Sequence, residues 1–261
     1  MMARISQVET GDGISWHVEQ SGSGPHLMLI PSGEGDCSSH DKVVAFLSTT
    51  FTITTFDLPG FSRSIAPPSA MENVTPLVIA KQIIPLMDRL EIPSASIYGS
   101  SSGGLIGRAL LVHYPQRVER LMIHEVPLSI PPGFEIITQL VETDVRQVIA
   151  ICQNIFSNVM NENQEAWEAL GPEYHKRLEK NYVTWIRKYV ESLPFTEWNK
   201  DEIMSKPVFW TVGALSTMGP WFDNVVTACE AGITIGMLPC RHFPQVSIPE
   251  KMAEYIRGCC Q

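Results

Sequence analysis

The residues Ser94–Tyr98, Gly99-Ser100-Ser101-Ser102-Gly103 and Ser102–His113 read as a strand, a tight turn and a helix in immediate succession. A chain that reverses this sharply needs glycines, because side chains flanking the turn would strike both elements. The turn fits the pattern G-x-S-x-G. With Gly and Ser each near ~7% of residues, such a match arises by chance in roughly one chain in ten of this length. Its place between strand and helix gives it weight. It calls for an α/β architecture: a mostly parallel central sheet flanked by helices, with the turn at the strands' carboxyl ends.

The rest of the first half agrees. Ile14–Gln20, His26–Ile30, Phe51–Phe56 and Val118–His124 have strand composition, and Asp41–Leu47 and Pro76–Leu90 have helical spacing. Thr75 is a natural N-cap before Pro76. From about Pro127 to Pro194 the alternation stops, and the segment is polar, helical and rich in Trp and Tyr. It then resumes with Val208–Val212 and Ile233–Leu238 as strands and Trp221–Ala231 and Pro249–Gly258 as helices. The predicted organisation is one core, residues 1–127 and 195–261, interrupted by a helical cap over 128–194.

Composition narrows the function classes. The net charge of −9, with no basic run, argues against nucleic acid and against docking on anionic membranes. No signal-like leader and no membrane-length apolar run is present. Six cysteines without a C-x-x-C pattern read as reduced thiols of a cytoplasmic protein. The seven histidines are scattered, so neither a metal nor an organic cofactor is expected.

Ser101, central in the turn, is the candidate nucleophile; Ser100 and Ser102 are off-centre. A serine hydroxyl needs a base, and the base needs an orienting acid. In the α/β-hydrolase fold these follow in the order Ser, acid, His. His242 stands between the last strand and the last helix, as that order requires. His124 lies near the site but reads as structural, and His17, His26, His40, His113 and His175 lack a partner motif. Many members of the fold place the acid after the strand read here as Val208–Val212. That strand instead runs into Gly213-Ala-Leu-Ser-Thr-Met-Gly219, which has no carboxylate. Glu125, at the end of Val118–His124 and beside the nucleophile's strand, is therefore the candidate acid. The backbone N–H groups of Gly33 and Ser102 are the candidate oxyanion donors. Asp57-Leu-Pro-Gly60-Phe-Ser62-Arg-Ser64 reads as a structural turn.

With these residues assembled, the chain resembles the fungal zearalenone-hydrolysing lactonases almost end to end. The similarity rests on Gly13-Ile-Ser-Trp16, Thr54-Thr-Phe-Asp57, the Gly99–Gly103 turn, His124-Glu125 and Glu165-Ala-Trp167. It continues through Lys180-Asn-Tyr182, Trp185, Trp210-Thr-Val-Gly213, Phe222-Asp-Asn224 and His242-Phe-Pro244. The resemblance implies hydrolysis of the ester in a resorcylic acid macrolactone, a small-molecule substrate, with Ser101, Glu125 and His242 as triad. It implies ligand contact by Trp185, places Ser32, Val159, Tyr189 and Trp221 at pocket positions, and suggests a homodimer. Ser32 replaces an Asp of the family, Val190 a Pro and Arg241 a Met, while the stretch before Glu165 is shorter. A general esterase or a lactonase for other macrolides is the alternative within the class. A ligand receptor that retains the triad is the alternative outside it.

Overall fold

The computed structural model describes residues 4–130, 133–190 and 200–261, leaving aside the side chains of residues 200 and 202. The far boundary of the expected cap, at residues 194 and 195, lies outside them. An eight-stranded sheet runs in the order β1-β2-β4-β3-β5-β6-β7-β8. Its strands are β1 Arg4–Glu9, β2 Ser15–Gly22, β3 His26–Ile30, β4 Thr52–Phe56, β5 Ala95–Ser100, β6 Val118–His124, β7 Val208–Gly213 and β8 Ile235–Leu238. β2 is antiparallel to β1 and β4, and every other pair is parallel.

Most of the core helices and strands fall within a residue or two of their sequence expectation. β1 does not, because the alternation gave no sign of it. It is an edge strand, mostly exposed, with Ile5 at 62% exposure, so burial imposed little pattern on Arg-Ile-Ser-Gln-Val-Glu. Its partner β2 is reached through a tight turn in which Gly13 takes a positive φ of 80°. The helix expected to open at Trp221 begins at Met218, passing through Pro220. A proline in the first turn forfeits only an N–H that would have no helical partner anyway.

Helices α1 Asp41–Leu47 and α11 Pro249–Cys259 contact each other, and their apolar faces close one core cluster with Leu27, Leu29, Tyr98 and Met122. The larger core holds α2 Pro76–Arg89 and α3 Ser102–His113 with the other strand residues. It runs on without a break into the helices between β6 and β7. These are α4 Phe134–Leu140, α5 Val145–Asn154, a π-helical turn Ile155–Val159, α6 Gln164–Glu168 and α7 Pro172–Lys188, then α8 Lys200–Ile203. Phe156, Trp167, Tyr182 and Trp185 are buried there, which explains the aromatic bias of the segment. α9 Met218–Ala231 links β7 to β8, and the short α10 Pro244–Ser247 precedes α11.

Register places the chemistry. Ile30 is opposite Gly99, Ser100 opposite His124, and His124 opposite Thr211. The loops after β3, β5, β6, β7 and β8 therefore leave the same edge of the sheet, where ligands of such sheets bind.

Candidate active site

The turn after β5 is as tight as its glycines suggested. A Cβ on Gly99 would sit 2.3 Å from the Gly103 carbonyl oxygen, and one on Gly103 would sit 2.5 Å from both the Ile30 and Pro31 oxygens. Backbone cannot yield as a side-chain end can. Gly103→Ala is expected to cost about 3 kcal/mol, read as a lower urea midpoint at unchanged slope. An unchanged midpoint would mean that the turn relaxes. Ser101 itself has φ 51° and ψ −126°, a region costing about 1–3 kcal/mol for a residue with a side chain. Its N–H donates to the His124 carbonyl oxygen at 2.9 Å, which ties the turn to β6.

Glu125 also takes a positive φ, 42°. Its side chain is fully buried and both carboxylate oxygens are engaged. Oε1 accepts the Gly213 N–H at 2.8 Å, and Oε2 lies 2.8 Å from His242 Nδ1. Burial alone would raise this carboxyl, but the hydrogen bond from His242 and the nearby imidazoles hold it down at about 2. The residue after it is clamped by Asn224. Its amide donates to the Val126 carbonyl at 2.9 Å and accepts both the Val126 N–H at 2.9 Å and the Trp210 indole N–H at 3.0 Å. Asn224 was not singled out in the sequence for a role; its place in a buried helix face gave no cue to this long-range contact.

His242 is 2% exposed. The Trp221 ring stacks on it at 4.6 Å with an interplanar angle of 14°, and its N–H donates to the Met160 carbonyl at 3.0 Å. Next to it, the Arg241 N–H donates to Glu162 and the guanidinium to the Asn158 carbonyl, each at 2.8 Å. The histidine loop is thus stitched to the end of the α5 and π-turn segment. His124 packs behind, with Nδ1 2.9 Å from Thr211 Oγ1 and Nε2 3.3 Å from the Arg241 carbonyl. Burial lowers its pKa to about 4, so it is a neutral support.

Ser101, Ser102, Trp185 and Trp221 meet in one small cleft of about 50 Å³ that opens to solvent. Pro127, Ser129, Ile130, Phe134, Met160 and Val190 complete its mostly apolar lining. Ser101, after β5, lines this cleft, and His242, after β8, lies against the Trp221 ring that also lines it, but the side chains of Ser101 and His242 share no hydrogen bond here. Such contacts are often long until a substrate closes the site. Gly33 lies under Trp185: a Cβ on it would be 2.7 Å from the indole nitrogen. Its N–H is held at 2.6 Å by the Ser32 hydroxyl. Ser32 is buried and faces this amide; it is not among the described lining residues. Neither are Val159, which is 57% exposed at the end of the π-turn, and Tyr189, whose hydroxyl donates to the Pro59 carbonyl at 3.3 Å. The Trp185 indole N–H is buried and has no hydrogen-bond partner among the described residues.

Next to Gly33, Glu34 is fully buried. Its Oε1 accepts from Ser39 at 3.1 Å, and Oε2 has no partner among the described residues. Burial raises its pKa above 4.5, the value it regains on unfolding. The native state therefore binds the extra proton between 4.5 and its raised pKa, and stability falls as pH rises through that window. Glu34→Gln escapes this fall. Its urea midpoint should gain on wild type from pH 4 towards pH 8; a constant gap across that range would refute the reading.

His17, Glu19 and Cys37 place ligand-type atoms within 4.8 Å of one another. Arg63 already supplies a cation there, donating to Glu19 at 3.2 Å, to Cys37 Sγ at 3.3 Å and through Nε to Asp57 at 2.8 Å. Asp57 also accepts the N–H groups of Cys37 at 2.9 Å and Arg63 at 3.0 Å, the capping expected of its turn.

A parallel-rich sheet with a strained serine turn on β5, an acid after β6 and a buried histidine after β8 defines an α/β hydrolase. The family model described as alpha/beta hydrolase fold matches residues 25–147. Over its whole length the chain belongs to the zearalenone hydrolase family. It is 40% identical over 259 residues to the zearalenone hydrolase of Bionectria ochroleuca, covering 98% of this chain and 97% of that one. It is 43% identical over 254 residues to the zearalenone hydrolase of Cladophialophora bantiana, covering 96% and 94%. Among solved structures, the enol-lactonase from Burkholderia xenovorans superposes with a TM-score of 0.79 at 19% identity, covering 98% of this chain and 99% of that one. A thermophilic esterase from Thermogutta terrifontis gives 0.81 at 18% identity, covering 99% and 97%. At such identities these two speak for the fold. No helix among the described residues is long and apolar enough to cross a membrane.

Proposed function

We propose that this chain opens the macrolactone ring of zearalenone and related resorcylic acid lactones by serine catalysis. The observation that carries the reading is the Glu125–His242 hydrogen bond of 2.8 Å, beside a strained serine on the floor of an apolar cleft roofed by two tryptophans. The names of the two fungal relatives supply the substrate class.

Ser101 Oγ attacks the lactone carbonyl carbon while His242 Nε2 takes its proton. Glu125, ionised at neutral pH, holds Nδ1–H and stabilises the imidazolium. The developing oxyanion sits between the N–H groups of Gly33 and Ser102, and the Ser32 hydroxyl yields its hold on Gly33 as the oxyanion arrives. The ring C–O bond breaks, and His242 returns the proton to the alcohol end of the opened chain, which remains part of the acyl-enzyme. A water deprotonated by His242 then cleaves the acyl-enzyme and gives the hydroxy acid. The resemblance implies that this acid goes on to lose CO₂.

The cap is residues 128–194, and its α7 brings Trp185 over the cleft, where the unpartnered indole N–H suits a polar group on a large apolar ring. Ser32, Val159 and Tyr189 act around the rim and behind the lining. A cytoplasmic location fits six free cysteines. A homodimer fits an exposed apolar stripe on α9, Met218, Phe222 and Val226, and light scattering tests it. The decisive measurement is the product mass after incubation with zearalenone. The gain of one water, or that gain followed by loss of CO₂, is expected. Turnover of short acyl esters at comparable rates would favour a general esterase, and tight binding with no change of mass a receptor.

A further inference from the structure

Arg177, Asn181 and Trp185 stand four residues apart on α7, so they share one face of the helix. All three reach the loop that follows β3. Arg177 Nε donates to Asp36 Oδ2 at 2.6 Å. Trp185 covers Gly33 so closely that a methyl group there would collide with the indole. Asn181, fully buried between them, makes the most specific contact. Its Nδ2 donates to the Glu34 carbonyl at 2.7 Å and to Ser62 Oγ at 2.7 Å, and its Oδ1 accepts the Ser62 N–H at 2.9 Å. The Ser62 N–H can only donate, so the orientation of the amide is fixed by chemistry.

Gly33 has no side chain to restrict its backbone, so it relies on hydrogen bonds: within the loop the Gly35 N–H donates to the Ser32 carbonyl at 3.0 Å, and further support comes from outside. The Glu34 carbonyl is the nearest acceptor past that glycine, and a residue of the cap grips it.

We propose that Asn181 is a positioning residue of the oxyanion loop, aligning the Gly33 amide by holding the Glu34 carbonyl from the cap. The proposal rests on the serine mechanism with Gly33 as a donor. It makes the Asn181 grip on the Glu34 carbonyl a condition for efficient acyl transfer, whatever ester is bound.

The test compares Asn181→Asp with wild type on zearalenone and on p-nitrophenyl acetate. Aspartate keeps the shape and the acceptor for Ser62 N–H but loses both donors. It should lower kcat by roughly 10- to 100-fold on both esters with KM little changed. Leu178→Ala, buried on the same helix, should lower the melting temperature at least as far while kcat on the acetate ester stays at the wild-type value. Should aspartate unfold the chain, Asn181→Ser, which buries no charge, carries the same comparison. Wild-type kcat in a folded Asn181 variant, or a loss confined to the lactone, or an equal loss in Leu178→Ala, overturns the proposal. Ser101→Ala tests the underlying mechanism separately: if it stays active the mechanism itself fails, whereas an inactive Ser101→Ala with a fully active Asn181→Asp rejects only the role of Asn181.

Discussion

Ser101→Ala is expected to lose zearalenone turnover by roughly 10⁴- to 10⁶-fold while still binding the lactone. The substitution removes the oxygen proposed to attack and nothing else of size, because Ser101 is only 8% exposed and its backbone is held by the His124 carbonyl. The tight turn stays in place: alanine tolerates the positive φ no worse than serine, and the N–H groups of Gly33 and Ser102 remain. Quenching of tryptophan fluorescence by zearalenone is the natural binding readout, with Trp185 and Trp221 lining the cleft. Turnover of the variant above the uncatalysed rate, with binding intact, would remove the serine from the mechanism. The missing hydrogen bond from Ser101 to His242 is the point on which the free enzyme must change.

The second large effect is at Glu125. Glu125→Gln is expected to lower kcat by roughly 10⁴-fold. The reason is in the wiring. The Gly213 N–H requires an acceptor, so the glutamine carbonyl must take the place of Oε1. Its amide N–H₂ then points at His242 Nδ1, which has to accept. The imidazole proton is driven to Nε2, the atom that should be removing the serine's proton. Aspartate, which keeps the charge but is one methylene shorter, should retain part of the activity. The same carboxylate shapes acid stability. Its pKa is about 2 in the folded chain against 4.5 for the free group, so its ionised form stabilises the fold above pH 4.5. That contribution fades as pH falls towards about 2. The gap in urea midpoint between wild type and Glu125→Gln should close over this window. A gap independent of pH would mean that the pair contributes nothing through its charge.

Much of the candidate site was legible before any coordinates. Ser101, Glu125 and His242 each sit where a strand signal stops, and β-strand composition marks such ends well when the strand is buried on both faces. The choice of Glu125 came from an absence: the loop after β7 offers no carboxylate, and its Gly213 instead donates an N–H to the one before it. What could not be read were contacts made across long stretches of chain by side chains with ordinary local roles. Asn224 and Asn181 look like helix residues of either polarity, and only the fold reveals that one clamps Val126 and the other Glu34. Exposed β1 was invisible for the opposite reason: of its apolar side chains only Val8 packs on the core while Ile5 faces solvent, which leaves too little alternation to detect. Ser32, Val159 and Tyr189 came from resemblance alone, and their places around rather than in the cleft depend on side-chain directions that no pattern of sequence encodes.

Because His124 pairs directly with Thr211, the sheet closes as though the helices between β6 and β7 did not exist. Lengthening or exchanging those helices leaves the register of the acid-bearing strand untouched. Variation in ligand choice can accumulate there across descendants of one ancestral gene without disturbing bond cleavage. The freedom has two boundaries: α7, with its three footholds on the loop after β3, and the turn at 158–162 that holds the histidine loop. Grafting a foreign roof onto this scaffold would succeed only if both survive.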